Sequence, residues 1–301
     1  MMRKVPLGVK LKSEQHHWWP KSLSKSWADN AGKVTRITPD GERLSLEPHK
    51  FSSLRNAHHV ELDGPWTHTY EPLFHDADSA FPKLVTELLQ LDPIFGKSLN
   101  GSRNRFSEKM SFNTETARLL AECVASLVVR SPRFRDIVMR SVNSFGAYKD
   151  PVSERHQIIA MNIGSCFPAV TRSLEHCGLK FVLFSGDDEF VFGDGCLHNF
   201  NGWADPNYSA RLLIPIVPQI ALAFISPTGP YEGGLRAIHL TREEVLQVNY
   251  ATQVYSGRFL FYRAQKPKIE DAFTRAEFLQ FPYHHFELLD KLCKPFMWDR
   301  R

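Results

Sequence analysis

The chain has 301 residues, 43% of them apolar and 23% charged, a balance that excludes disorder and allows one large domain or two small ones. With 37 basic against 33 acidic residues the net charge is +4, too mild for a protein that coats nucleic acid with a broad basic face. Five cysteines without a CxxC pair argue against a zinc ribbon and against a disulfide framework.

In chain order, residues 1–78 are rich in His, Trp, Pro and Gly and read as short strands and turns with one short helix over 21–27. Pro39-Asp40-Gly41 is a turn between two alternating segments, 33–37 and 42–46, which predicts a β-hairpin. Residues 79–177 carry helical spacing. Phe81, Leu84, Val85, Leu88 and Leu89 mark one helix. Ala117, Leu120, Ala121, Val124, Leu127 and Val128 mark a second, with Asn113 as its N-cap. It should end at Arg130, where Ser131-Pro132 starts the next. Residues 178–238 turn to β. Segments 180–185 and 189–192 flank a Gly186-Asp187-Asp188 turn, and 211–214 and 220–225 are apolar throughout, as strands buried on both faces are. Thr241-x-x-Glu244 is a capping box for a helix running to about Tyr262, and the tail from Glu270 holds one or two more helices. Helices grouped with helices and strands with strands give an α+β fold: an N-terminal β-hairpin and loop region, central helices, an antiparallel or mixed sheet and C-terminal helices. The two regions, a His/Trp-rich 1–78 and a mixed core 79–301, are expected to pack as one compact unit.

The opening residues lead into no apolar run of the kind a secretory leader needs. The longest apolar stretch, 212–225, is broken by Pro215, Pro218 and Gln219 and is too short to span a membrane. The expectation is a cytoplasmic protein with reduced cysteines and no membrane partner.

No GxGxxG, P-loop, HExxH or GxSxG occurs, so the chemistry has to be sought elsewhere. The histidines concentrate in the first 78 residues, in the pairs His16-His17 and His58-His59 and at His68 and His75. An imidazole takes a proton near neutral pH or binds a metal ion. Adjacent histidines cannot both face one ion from a regular strand or helix, so His17 is the candidate general base and His16 a candidate metal ligand. The competing reading is that the pair caps the 21–27 helix while Trp18 and Trp19 pack below. Strand alternation puts His59 and Glu61 on one face, half of a site for zinc or another divalent ion, against a reading of both as rim residues. The order His17, hairpin, Asn56, then His58 or His59 resembles that of ββα-metal (HNH-type) nucleases, where a divalent ion steadies the phosphate. There the last histidine stands on a helix, whereas 60–65 here reads as strand and turn.

Glu71 is a further candidate acid or metal ligand, and nearby Asp78 an N-cap for the helix that follows. Arg130 closes an apolar helix, should be partly buried and paired, and is the candidate phosphate clamp. Asp194 stands between Gly193 and Gly195 after a strand, and Asn249 is polar amid Val245, Val248 and Thr252. Both are candidate catalytic residues, with a plain turn and a structural clamp as the competing readings. Cys196, near His198, shows no sign of the lowered thiol pKa a nucleophile needs.

Several of these segments together resemble the bacterial family of domain-of-unknown-function 4238. The resemblance covers His16-His17-x-x-Pro20 with Leu23 and Trp27, Glu71, Arg130-Ser131-Pro132, the stretch from Phe190 to Gly195, Leu213-Ile214-Pro215 to Pro218, and the helix around Asn249. The family's Ser-Asp-x-Pro turn reads Gly193-Asp194-Gly195-Cys196 here, so only the Asp carries over. The resemblance implies a soluble microbial protein with an enzyme-like set of His, Glu, Arg, Asp and Asn, and names no reaction. The expected function is a metal-dependent hydrolase, a nuclease acting on phosphodiesters, in the role of a bacterial toxin or phage-defence effector. The alternative is a non-catalytic nucleic-acid or protein binding module, with Trp18, Trp19, Trp27 and Trp66 as a stacking face beside Lys21 and Lys25.

Overall fold

The computed structural model describes residues 3–4, 15–50, 52–55, 58–60, 68–91, 106, 114–143, 151–200, 210–227, 230–275 and 287–297. The chain opens with β1 (Arg3–Lys4), β2 (Gln15–His17) and α1 (Lys21–Ser24), which tightens into a 3-10 turn over Lys25–Trp27. The expected hairpin follows as β3 (Val34–Ile37) and β4 (Arg43–Leu46), in register Val34 to Leu46 and Ile37 to Arg43. Gly41 turns it at φ +87°, a conformation that a side chain would resist. Three short strands come next, β5 (Ser53–Arg55), β6 (His59–Val60) and β7 (His68–Thr69). β5 pairs with β2, and β7 lies between β1 and β6.

The helical region holds α2 (His75–Leu89), α3 (Thr114–Arg130), α4 (Pro132–Asn143) and α5 (Pro151–His176). The α3–α4 junction falls where Ser131-Pro132 places it: the Ser131 hydroxyl accepts the Phe134 amide at 3.1 Å, and the proline opens the new helix without needing its missing N–H. The candidate N-cap Asn113 lies outside the described residues. α3 packs between α2 and α5 and buries its apolar stripe there.

Strands β8 (Leu179–Phe184), β9 (Phe192–Gly193), β10 (Leu197–His198), β11 (Arg211–Val217), β12 (Ile220–Ile225) and β13 (Gly234–His239) follow. The main sheet runs β10-β11-β12-β8-β13, antiparallel except that β13 lies parallel to β8, and every residue of β12 is buried. Pro215 has no N–H for the ladder, and the register slips between Pro215 and Val217. The Ile216 carbonyl at that irregularity accepts the Trp27 indole N–H at 3.2 Å, which ties the N-terminal helix to the sheet.

The last elements are α6 (Arg242–Val254), β14 (Leu260–Tyr262), α7 (Asp271–Thr274) and α8 (Glu287–Cys293). The fold is α+β. The capping box forms, with Thr241 accepting the Glu244 amide and Glu244 accepting the Thr241 amide. The helix stops at Val254, however, and the stretch expected to extend it to Tyr262 contains a strand. β14 enters a four-stranded sheet, β4-β3-β14-β9, that joins the N-terminal hairpin to the rest of the chain. Segment 189–191 also differs from expectation. It does not pair with β8; the Val191 amide and Glu189 carbonyl bond to Asn249, and the Phe190 amide to Pro218.

Candidate functional site

The site builds from β2, which carries His16 and His17, and from the two turns that flank β6 and β7. Strand alternation buries His16 and leaves His17 half-buried. The His58 amide donates to His16 Nδ1 at 3.0 Å, and the His58 carbonyl accepts the Tyr70 amide at 2.9 Å. The two histidine pairs therefore meet: the rings of His16 and His58 stack at 5.0 Å, and His59 meets His16 edge-on at 4.3 Å. Residues 71–74 form a 3-10 turn before α2, and this places Glu71 against His58 Nδ1 in a very short contact. His58 is 2% exposed, whereas the Glu71 side chain is 50% exposed, so the pair runs from the interior to the surface.

These bonds fix where the protons sit. An amide donating to His16 Nδ1 puts that ring's proton on Nε2, a tautomer with no ring lone pair left for a cation, so the expectation of His16 as a metal ligand is corrected. His58 is the reverse: its Nδ1–H donates to Glu71, and Nε2 carries the lone pair, without a partner among the described residues. Burial lowers the His58 pKa and the Glu71 carboxylate opposes it, while burial would raise Glu71 but is overcome, above all by the hydrogen bond from His58, to about 2. A neutral His58 thus stands behind an ionised Glu71. His17 falls to about 4, chiefly through burial and then through Lys21, against Glu71 and Asp78, so it is neutral at pH 7.

Arg130 is buried and paired, as expected of a cation that ends an apolar helix. Its partner is Asp78, bidentate at 3.0 and 2.7 Å, and its Nε donates to the Ser126 carbonyl at 3.1 Å. The guanidinium lies 4.7 Å over the Phe74 ring, which packs 5.4 Å from His58. Its donor fork is committed to Asp78, which contradicts its use as a phosphate clamp. Asp78 is no N-cap, because α2 already begins at His75.

Asp194 and Asn249 serve the fold. Asp194 is fully buried, and its Oδ1 accepts the amides of Gly257, Arg258 and Phe259 at 2.9, 3.1 and 3.2 Å. Those three amides are the ones a longer α6 would have used internally, so this carboxylate ends the helix. The flanking glycines admit the α6 terminus and no ligand: a Cβ on Gly195 would lie 2.2 Å from the Tyr255 carbonyl oxygen, and one on Gly193 1.7 Å from Ser256 Oγ. Asn249 uses its oxygen on Val191 and its nitrogen on Glu189, as a clamp. Cys196 is buried and its thiol is pushed up to about 12 by burial, the opposite of nucleophile activation.

Trp18, Trp19 and Trp27 are core residues gathered around Phe192, which corrects the expectation that these three form a stacking face. Trp66, Asn56 and Glu61 lie outside the described residues. Among the described residues no three His, Cys, Asp or Glu gather as ligands for a metal ion, and none of the helices is long and apolar enough to cross a membrane. The pairings that sequence reasoning missed, His58 with Glu71 and Arg130 with Asp78, join residues 13 and 52 apart and have no local spacing to betray them. No protein-family model, curated protein or solved structure matches the chain. The resemblance to the domain-of-unknown-function 4238 family therefore rests on its short motifs alone.

Proposed function

We propose that the chain is a metal-dependent phosphodiester hydrolase, a nuclease, with Glu71 as the oxygen ligand for a divalent ion and His17 as the base. The observation that carries this reading is the half-exposed Glu71 carboxylate kept ionised by the buried His58 behind it. Magnesium-like ions are held through one or two carboxylates together with substrate phosphates, without an all-protein cage. A single well-ionised surface carboxylate suits that mode. His17, neutral at pH 7, keeps a lone pair with which to take a proton from water. Arg130 and Asp78 hold the Phe74 wall behind His58, and Asp194 and Asn249 have no part in the reaction.

The test is cleavage of RNA and DNA oligonucleotides with magnesium or manganese and with a chelator. Glu71→Gln and His17→Ala should each lower the rate by about 100-fold or more, and the chelator should abolish it. Wild-type protein inert on both substrates, or active in chelator at an unchanged rate, overturns the proposal. A role as toxin or phage-defence effector predicts that induced expression arrests bacterial growth and that Glu71→Gln relieves the arrest.

A further inference from the structure

The far side of α6 carries a second feature, unconnected with the histidine site. Leu246 and Tyr250, one helical turn apart, are 53% and 48% exposed, on a helix whose opposite face, Val245, Val248 and Thr252, is buried. A pair at i and i+4 lies on one face of a helix and makes a continuous apolar strip. This strip borders a cleft of about 500 Å³ walled by Pro267 and Leu288, a size typical of pockets that take a peptide side chain or a small ligand.

The cleft is held open by bonds within the fold. Gln253, at its floor, donates to the Lys268 carbonyl at 2.9 Å and accepts the Glu270 amide at 2.8 Å, which fixes the 267–270 wall against α6. Its rim is acidic. Glu270 pairs with Lys268 at 3.2 Å, and Lys291, 2.9 Å from Glu287, is also attracted by Glu243. Three carboxylates, Glu243, Glu270 and Glu287, face two lysines, Lys268 and Lys291, so the charge beside the apolar strip is negative. A second copy of the chain docking by the same face would bring Glu243 toward its own image, and like charges across an interface are unfavourable.

We propose that the α6 cleft is a docking site for a basic amphipathic peptide segment of a protein partner, its apolar side chains seated on Leu246 and Tyr250 and a Lys or Arg beside Glu243. This is helix-in-groove or strip recognition, in which apolar anchors supply affinity and the charge selects the partner. It is independent of the nuclease reading.

The probe is a fluorescein-labelled synthetic peptide of about 14 residues with leucines at helical spacing and lysines between them, titrated into the full chain and read by anisotropy. Its control has glutamates in place of the lysines. The lysine peptide should bind and the glutamate peptide should not. Glu243→Lys, an exposed change that leaves the core intact, should weaken binding on the order of tenfold, as should Leu246→Ser with Tyr250→Ser. Glu42→Lys, on the exposed hairpin turn, should leave it unchanged. Equal binding of both peptides, or equal weakening by Glu42→Lys and Glu243→Lys, shows general charge attraction and overturns the proposal. No binding, with a large fall in melting temperature for the double serine variant, shows the strip to be covered by the chain itself and overturns it equally.

Discussion

Asp194 shows how one side chain can look catalytic and be structural. A carboxylate between two glycines at a strand end has the sequence signature of a site, yet its oxygen closes three backbone amides of a neighbouring turn. Each buried amide left without an acceptor costs roughly 1–3 kcal/mol. Asp194→Ala should therefore destabilise the fold by on the order of 3 kcal/mol or more, read as a large drop in melting temperature. Asp194→Asn keeps an Oδ1 acceptor and should lose less. Any hydrolytic activity per folded molecule should survive both changes; activity lost at unchanged stability would return Asp194 to the site. What was legible at this scale was chemistry that a residue must satisfy wherever it is. Arg130 ends an apolar helix, so it had to be buried with a partner, and it is. Which partner was not legible, because Asp78 reaches it only through the packing of α2 on α3.

Elements with a local cause were legible, and those with a tertiary cause were not. The hairpin, the α3–α4 break and the start of α6 each follow from a turn, a proline or a capping box within four residues. The end of α6 follows from Asp194, more than 60 residues earlier in the chain. Segment 189–191 lacks its expected hairpin because Asn249 and Pro218 take its backbone groups. Two substitutions separate the local from the tertiary cause. Thr241→Ala removes one acceptor at an exposed helix start and should cost about 1 kcal/mol. Gly195→Ala drives a Cβ against the Tyr255 carbonyl oxygen at 2.2 Å, a backbone atom with no freedom to swing aside, and should cost several times as much. Denaturant melts of both variants measure the difference, and equal losses would mean that the α6 terminus moves away freely.

At the scale of the whole molecule, the buried histidines make the fold sensitive to acid. His198 and His17 titrate at about 4 in the folded chain against an ordinary 6.5, because burial disfavours the imidazolium, with Lys21 adding to the effect at His17. His58 shifts in the same direction. Between pH 6.5 and 4 the unfolded chain binds protons that the folded chain refuses, so stability falls as the pH drops through that window. For the wholly buried His198 the loss is on the order of 3 kcal/mol. Glu71 continues the decline: its folded pKa of about 2 lies below the ordinary 4.5, so the stability it lends is full above 4.5 and is lost as the pH falls toward 2. Asp194 acts the other way, since burial raises its carboxyl and the folded chain takes up that proton more readily than the unfolded one. The histidines and Glu71 thus act in one direction and Asp194 in the other, so the share of one histidine is read by comparing a variant with the unaltered chain. Urea melts at a series of pH values measure this directly. His198→Gln cannot take up the proton, so its stability should depend less steeply on pH between 6.5 and 4 than that of the unaltered chain. A His198→Gln profile as steep as that of the unaltered chain would mean that the fold does not resist the proton at His198, and the same comparison with His17→Gln tests the neutral His17 on which the proposed base depends.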